Sequence, residues 1–305
     1  MVKIAVELER ALARRAEHGT PGRTTPRIIA RGDGWTVADV VCTCGPQDHP
    51  FEERHTHYSI AIVVAGSFQY HSPLGRGLMA AGAVMLGNAG QIYECRHEHG
   101  QGDRCVSFWY APEYFERLAA DAGSRGVGVD FKMARLPPLR ALSPLVARAG
   151  AGAAEPGDDV SWEELGVTLA ARVARLGAGT VSLSGGLPPN AVARVTRTVR
   201  AIERHPAAPL TLGSLAREAS LSQYHFLRTF ERLTGVTPHQ YILRVRLREA
   251  AMRLASEQEN VLDVALDCGF GDVSNFNRAF RAEFGISPRA YRQRSRPDRR
   301  RPGHA

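Results

Sequence analysis

Three short stretches in the first half of the chain concentrate thiol and imidazole groups: Cys42-Thr43-Cys44, His55-Thr56-His57 and Cys95-Arg96-His97-Glu98-His99, with Cys105 close behind. Residues two apart on a strand point to one face, so Cys42 with Cys44, His55 with His57, and Cys95 with His97 would each present two donors together if the chain is extended there. Thiolate and imidazole suit zinc, copper(I) or a heavier thiophilic metal. The candidate ligands are therefore Cys42, Cys44, His55, His57, Cys95, His97 and Cys105, and the candidate cofactor is zinc or another thiophilic metal. The same residues fit two other roles. A thiol depressed in pKa by Arg96 or Arg104 would serve as a redox sensor, and a cysteine is also a small buried hydrophobe that simply packs. The spacings match no established zinc signature, and the three readings stay open.

A second constellation lies toward the C-terminus and is duplicated. Phe226, Arg228, Phe230, Gly235, Pro238 and Tyr241 recur fifty residues later as Phe276, Arg278, Phe280, Gly285, Pro288 and Tyr291. Each copy opens with a short amphipathic stretch, 212–219 and 261–268, followed by a tight turn, 220–222 and 269–272. A second helical stretch then begins at an N-cap, Ser222 or Asp272, whose side chain can accept from the free amides of the first turn. The phenylalanine pairs are spaced i to i+4 and share a buried face, which leaves Tyr224, Leu227, Arg228 and Ser274, Asn275, Arg278 on other faces. Gly235 and Gly285 stand just past the helix ends, where a left-handed residue closes the last turn. Thr237-Pro238 and Ser287-Pro288 suit the N-cap and first position of the next helix. Two helices joined by a turn, the second carrying arginine on its open face, read as a helix-turn-helix that delivers a helix to a major groove.

Between the copies, 238–255 contains no internal Pro or Gly and reads as one helix, about 25 Å long at 1.5 Å per residue. Such a strut would hold two reading helices for successive major grooves, whose repeat is roughly 34 Å.

This arrangement resembles the AraC/XylS family of transcription regulators over about residues 190–293, most specifically at 265–270, 276–281 and 284–292. The resemblance implies DNA contacts from Tyr224, Leu227 and Arg228 in the first unit and from Ser274, Asn275 and Arg278 in the second. It also implies double-stranded promoter DNA and RNA polymerase as partners, a homodimer, a signal or effector of unknown identity, and activation as the sign of control. Leu227 would make an apolar contact, such as one to a thymine methyl.

Charge is localised in the same place. The whole chain is +8, while residues from 190 onward hold 20 arginines, no lysine and 11 acidic residues. A basic domain gains affinity for polyanions by counterion release.

At 305 residues the chain is long enough for two domains. The expected division is a sensor and dimerisation domain at 1–180, a Gly/Ser/Pro-rich linker at 181–190, the DNA-binding domain at 191–293 and a basic tail at 294–305. No apolar run approaches the length that spans a bilayer, and the N-terminus lacks a signal-peptide layout, so a cytoplasmic protein without a membrane partner is expected. An odd count of five cysteines points to reduced thiols.

In the first domain, β-branched and aromatic runs at 35–44, 58–70, 83–86, 91–95 and 104–110 predict an antiparallel double-sheet barrel. Helices are expected at 112–120, 139–148 and 162–176, and a loop at 147–159. The fold class is thus α+β: a β-barrel with helices, similar to the cupin-like sensor of the family, then an all-α domain of two helix-turn-helix units joined by a long helix. A metal-binding cupin follows its H-x-H pair with a Glu, and the residues after His57 are Tyr58, Ser59, Ile60, Ala61 and Ile62, so a cupin-type oxygenase is not expected. Trp35, Tyr58, Phe68, Tyr70, Tyr93, Phe108 and Trp109 are candidates to line a pocket for an organic effector. Against the regulator stands an enzyme fused to a DNA-binding module, either a barrel metalloenzyme or an alkyl-accepting thiol.

Overall fold

The computed structural model describes residues 3–48, 51–122, 129–154, 160–177, 189–256 and 259–295. Their first part is built on nine antiparallel strands: β1 (Thr24–Gly32), β2 (Trp35–Cys42), β3 (Phe51–Arg54), β4 (Tyr58–Ser72), β5 (Gly75–Ala80), β6 (Val84–Gly87), β7 (Ile92–Arg96), β8 (Asp103–Tyr110) and the short β9 (Arg135–Leu136). The five runs expected from the sequence are β2, β4, β6, β7 and β8. β1, β3, β5 and β9 were not expected.

β4 belongs to two layers. Its first half pairs with β8 and β6, and its second half, beyond an irregularity between Val63 and Ala65, pairs with β5 and β7. Side-chain alternation then makes two cores. Val106, Phe108 and Tyr110 of β8 pack with Ile60 and Ile62 under a helical layer, while Cys105 enters the space between the layers with Ala61, Val63, Phe68, Tyr70 and Cys95. The helical layer comprises α2 (Pro112–Asp121), α3 (Ser143–Ala154) and α4 (Trp162–Gly177), and an N-terminal helix, α1 (Lys3–His18), touches α3, β2 and β4.

α3 corrects the first part of the loop expected at 147–159: 147–154 are helical, and 155–159 lie outside the described residues. The glycines of 147–154 lower helix propensity, but tertiary packing overrides it. Gly150 and Gly152 are buried, and a Cβ on Gly152 would stand 2.7 Å from the Trp162 ring, so the small residues let the α4 tryptophan approach closely. Fully buried Arg104 secures the end of α3: its Nη2 donates to the Ala153 carbonyl at 2.8 Å, and the guanidinium forks onto Asp39 at 2.8 and 2.9 Å. Burial alone would raise the Asp39 pKa, but hydrogen bonds from Arg104 and Arg27 outweigh it and hold the carboxyl low.

The second part is all helical: α5 (Pro189–Arg204), α6 (Leu212–Glu218), α7 (Gln223–Thr234), α8 (Pro238–Ser256), α9 (Val261–Asp267), α10 (Val273–Phe284) and α11 (Pro288–Ser295). Of the linker expected at 181–190, only its last two residues are described, and they open α5. Of the tail expected at 294–305, only 294 and 295 are described, and they close α11. Among the described residues no helix is long and apolar enough to cross a membrane.

Candidate nucleic-acid interface

The two units follow one construction down to their backbone hydrogen bonds. At the end of α6, Ser220 N donates to Arg217 O and Leu221 N to Ala216 O; at the end of α9, Gly269 N donates to Leu266 O and Phe270 N to Ala265 O. These bonds repeat at an offset of 49 residues. Beyond the turn the offset becomes fifty, because the second turn holds one more residue. The second helix of each unit starts at the expected cap: Ser222 accepts from His225 N, and Asp272 from Asn275 N at 2.7 Å. Each ends at a left-handed glycine, Gly235 or Gly285. Thr237 and Ser287 then accept from Gln240 N and Ala290 N, capping helices that begin at Pro238 and Pro288.

Phe226 and Phe230 of α7, and Phe276 and Phe280 of α10, are fully buried. The opposite faces are open. Tyr224 is 63% exposed, Arg228, Ser274, Asn275 and Arg278 are exposed, and Leu227 is half-buried. Arg228 is held above its own helix, its Nη1 donating to the Tyr224 hydroxyl at 3.0 Å and its guanidinium 5.8 Å from the ring centroid. That posture leaves the cation on the open side of α7.

The relative placement of the units depends on α8, which contributes to both cores. Tyr241 and Ile242 pack with Phe226 and Phe230, while Leu247, Ala250, Ala251 and Leu254 pack with Phe276 and Phe280. Arg246 adds a polar lock that the sequence did not reveal. It donates to Pro206 O at 2.7 Å, Ala208 O at 2.9 Å and Gly269 O at 2.8 Å, tying the loop before α6 to the turn after α9. All its acceptors are carbonyls, which leave no mark in a sequence.

The helical and sheet parts also meet directly. Leu78 and Ala80 of β5 enter the core of the first unit, and Ala147 of α3 enters that of the second. Half-buried Glu203 of α5 accepts from Ala81 N at 3.1 Å and from the Tyr241 hydroxyl at 2.5 Å, and Arg248 of α8 donates to Ala81 O at 2.9 Å. Arg135 of β9 donates to Leu233 O at 2.8 Å near the end of α7.

The thiol and imidazole groups separate into those brought together and those left apart. Cys42, Cys44 and His97 converge, with their ligand atoms all within 4.8 Å of one another and all three residues buried. His97 Nε2 donates to Asp103 Oδ1 at 2.6 Å and stands 3.5 Å from Cys42 Sγ. Burial alone would lower its pKa, but Asp103 and Cys42 outweigh that and raise it to about 10. Cys95 and Cys105 are buried beside this group, and burial pushes both thiols well up. Neither is therefore a ready nucleophile. His55 and His57 follow β3 in a connecting segment and do not point together: His57 is exposed, and buried His55 stacks on Tyr93 at 4.0 Å and bonds the Tyr70 hydroxyl at 3.0 Å. All five cysteines are free. The aromatic candidates for a pocket divide between two cores, with Tyr58 and Phe108 in one and Phe68 and Tyr70 in the other.

A tandem pair of helix-turn-helix units on a shared helix is a DNA-binding architecture, and comparison with known proteins places it. Residues 215–294 match the helix-turn-helix domain family. Over 101 residues the chain is 40% identical to the HTH-type transcriptional activator RhaS of Klebsiella pneumoniae (strain 342), covering 33% of this chain and 36% of that protein. Over 90 residues it is 40% identical to the probable transcriptional regulator LumQ of Photobacterium leiognathi, covering 30% of this chain and 36% of that protein. Among solved structures, the DNA-binding domain of AdpA in complex with a target DNA is 31% identical over 33% of this chain and 90% of that chain, at a TM-score of 0.32. The C-terminal part of the chain therefore carries a helix-turn-helix domain similar to those of these transcription regulators. It spans little more than a third of the length of the curated relatives it matches.

Proposed function

We propose that this protein is a sequence-specific transcription regulator of the AraC type, most simply an activator, whose α7 and α10 enter successive major grooves on one face of promoter DNA. The observation that carries the reading is the in-register pair of open helix faces over phenylalanine cores, held at one spacing by α8 and Arg246. Tyr224, Leu227 and Arg228 would meet one groove, and Ser274, Asn275 and Arg278 the next. Arginine suits guanine edges and phosphates alike. Activation draws on RhaS, whose name describes an activator.

The sheet domain at 1–180 serves as cupin-like sensor and dimerisation unit, 181–190 as linker, 191–293 as DNA-binding domain and 294–305 as basic tail. In this reading the protein acts in the cytoplasm as a homodimer, contacts RNA polymerase at the promoter, responds to an effector and carries no catalytic activity of its own. The buried thiols support the last point, since an alkyl-accepting cysteine needs access and thiolate character.

Selection of duplexes from a random-sequence library by the full chain, followed by footprinting, tests it. The expected result is an enriched site with two protected stretches about one helical turn apart on one face. Binding that stays indifferent to sequence after selection would overturn the proposal.

A further inference from the structure

We propose that Cys42, Cys44 and His97 form a zinc(II) site that ties the loop at 97–103 to the sheet and, through it, steadies α5. Zinc bound by sulfur at about 2.3 Å and imidazole nitrogen at about 2.0 Å in a tetrahedron places S and N about 3.5 Å apart. Cys42 Sγ and His97 Nε2 stand 3.5 Å apart, and Cys44 Sγ lies within 4.8 Å of both. Two thiolates and one imidazole are a zinc-type donor set. A fourth donor is adjacent, the Asp103 carboxylate, whose Oδ1 is 2.6 Å from Nε2. Around zinc that N to O edge is about 3.4 Å, so the carboxylate needs to shift by only about 1 Å. On binding, Cys42 and Cys44 release their thiol protons and His97 gives up the proton that Nε2 now donates to Asp103, all to solvent.

The surroundings are built to hold this geometry. Thr24 Oγ1 donates to Cys42 Sγ at 3.5 Å. The segment after Cys44 is closed by Asp48, which accepts from Gly22 N at 2.8 Å and Gly45 N at 2.7 Å and pairs with Arg15 of α1 at 2.8 Å. Arg15 also donates to the carbonyl of Thr43, the residue between the two cysteines. Donor orientation is thus set by groups outside the donor set, as in known metal sites.

The loop that starts at His97 reaches the helical part. Gln101 Oε1 accepts from Arg200 Nε and Arg204 Nη2 of α5, both at 2.9 Å, and His99 Nε2 lies 3.0 Å from Ser67 Oγ. α5 buries Val195, Val199 and Ile202 against Phe226 and Phe230 of α7. A metal that pins His97 therefore restrains a loop whose other end grips α5.

The test uses the full chain, reduced, stripped of metal and titrated anaerobically with cobalt(II) and then zinc(II). The expected result is a thiolate-to-cobalt charge-transfer band that saturates at one equivalent per chain and is abolished by one equivalent of zinc. Cys44→Ser and His97→Asn should each weaken binding by more than about tenfold, whereas Cys105→Ala should leave it intact. Two readouts on the unaltered chain cover the case in which those variants misfold: zinc should slow alkylation of Cys42 and Cys44, mapped by mass spectrometry, and should slow amide exchange across 97–103 and the C-terminal half of α5. Absence of the charge-transfer band, or unchanged alkylation of Cys42 and Cys44, overturns the site. Protected thiols with unchanged exchange in α5 overturn its link to the helices.

Discussion

Ser220 and Gly269 occupy the same left-handed position in the turns of the two helix-turn-helix units, at φ of 53° and 85°. An L-residue other than glycine, asparagine or aspartate carries a cost of roughly 1–2 kcal/mol there. Ser220→Gly should therefore stabilise the protein by up to about 1 kcal/mol, part of the gain being offset by the freer unfolded chain. Urea denaturation measures it, and a fall in midpoint would mean that the serine makes a contact worth more than its strain.

Arg228→Ala and Arg278→Ala should each weaken binding to a selected duplex by about 1–3 kcal/mol. Gel-shift titration reads this directly. A folded variant with unchanged affinity removes that arginine from the contact set.

Arg246→Ala should reduce DNA affinity although the Arg246 guanidinium is engaged by three backbone carbonyls. Its three carbonyl acceptors belong to different units, so their loss frees one unit to move against the other. Losing charge-assisted hydrogen bonds should also cost about 2 kcal/mol of stability. Thermal melting and titration on the same duplex separate the two effects, and full affinity in the variant would show that α8 alone sets the spacing.

His55 should make the protein acid-sensitive. Burial lowers its pKa from 6.5 to about 4, so its contribution is complete above 6.5 and is lost as pH falls through 4. At about 1.4 kcal/mol per unit this amounts to roughly 3 kcal/mol. His55→Phe keeps a ring against Tyr93 and should flatten that part of the stability profile between pH 6.5 and 4, while His99, also lowered to about 4 by burial, keeps its share in both proteins. Parallel profiles from urea unfolding would contradict the assignment.

The C-terminal part was legible because its determinants are local. Caps, left-handed glycines, N1 prolines and i to i+4 phenylalanines lie within a few residues of the elements they specify, and all appear where their spacing put them. Legibility fell where partners are distant. α3 forms through 147–154 because Trp162 and Arg104 meet it from elsewhere in the chain, against its own glycines. The two-residue spacing grouped Cys42 with Cys44, although Cys44 stands beyond the end of β2, and it misgrouped His55 with His57, which stand outside β3. The join between His97 and Cys42 crosses 55 residues and no periodicity encodes it.

The added residue in the second turn, Gly271, has a counterpart in what α8 forbids. One residue inserted into a helix turns everything beyond it by about 100° and advances it by 1.5 Å. Because α8 lends Tyr241 to one core and Leu254 to the other, such an insertion would swing α10 out of phase with α7. The two repeats have thus diverged in length where a loop absorbs the change, and the helix between them acts as a ruler that tolerates substitution but not a change in length.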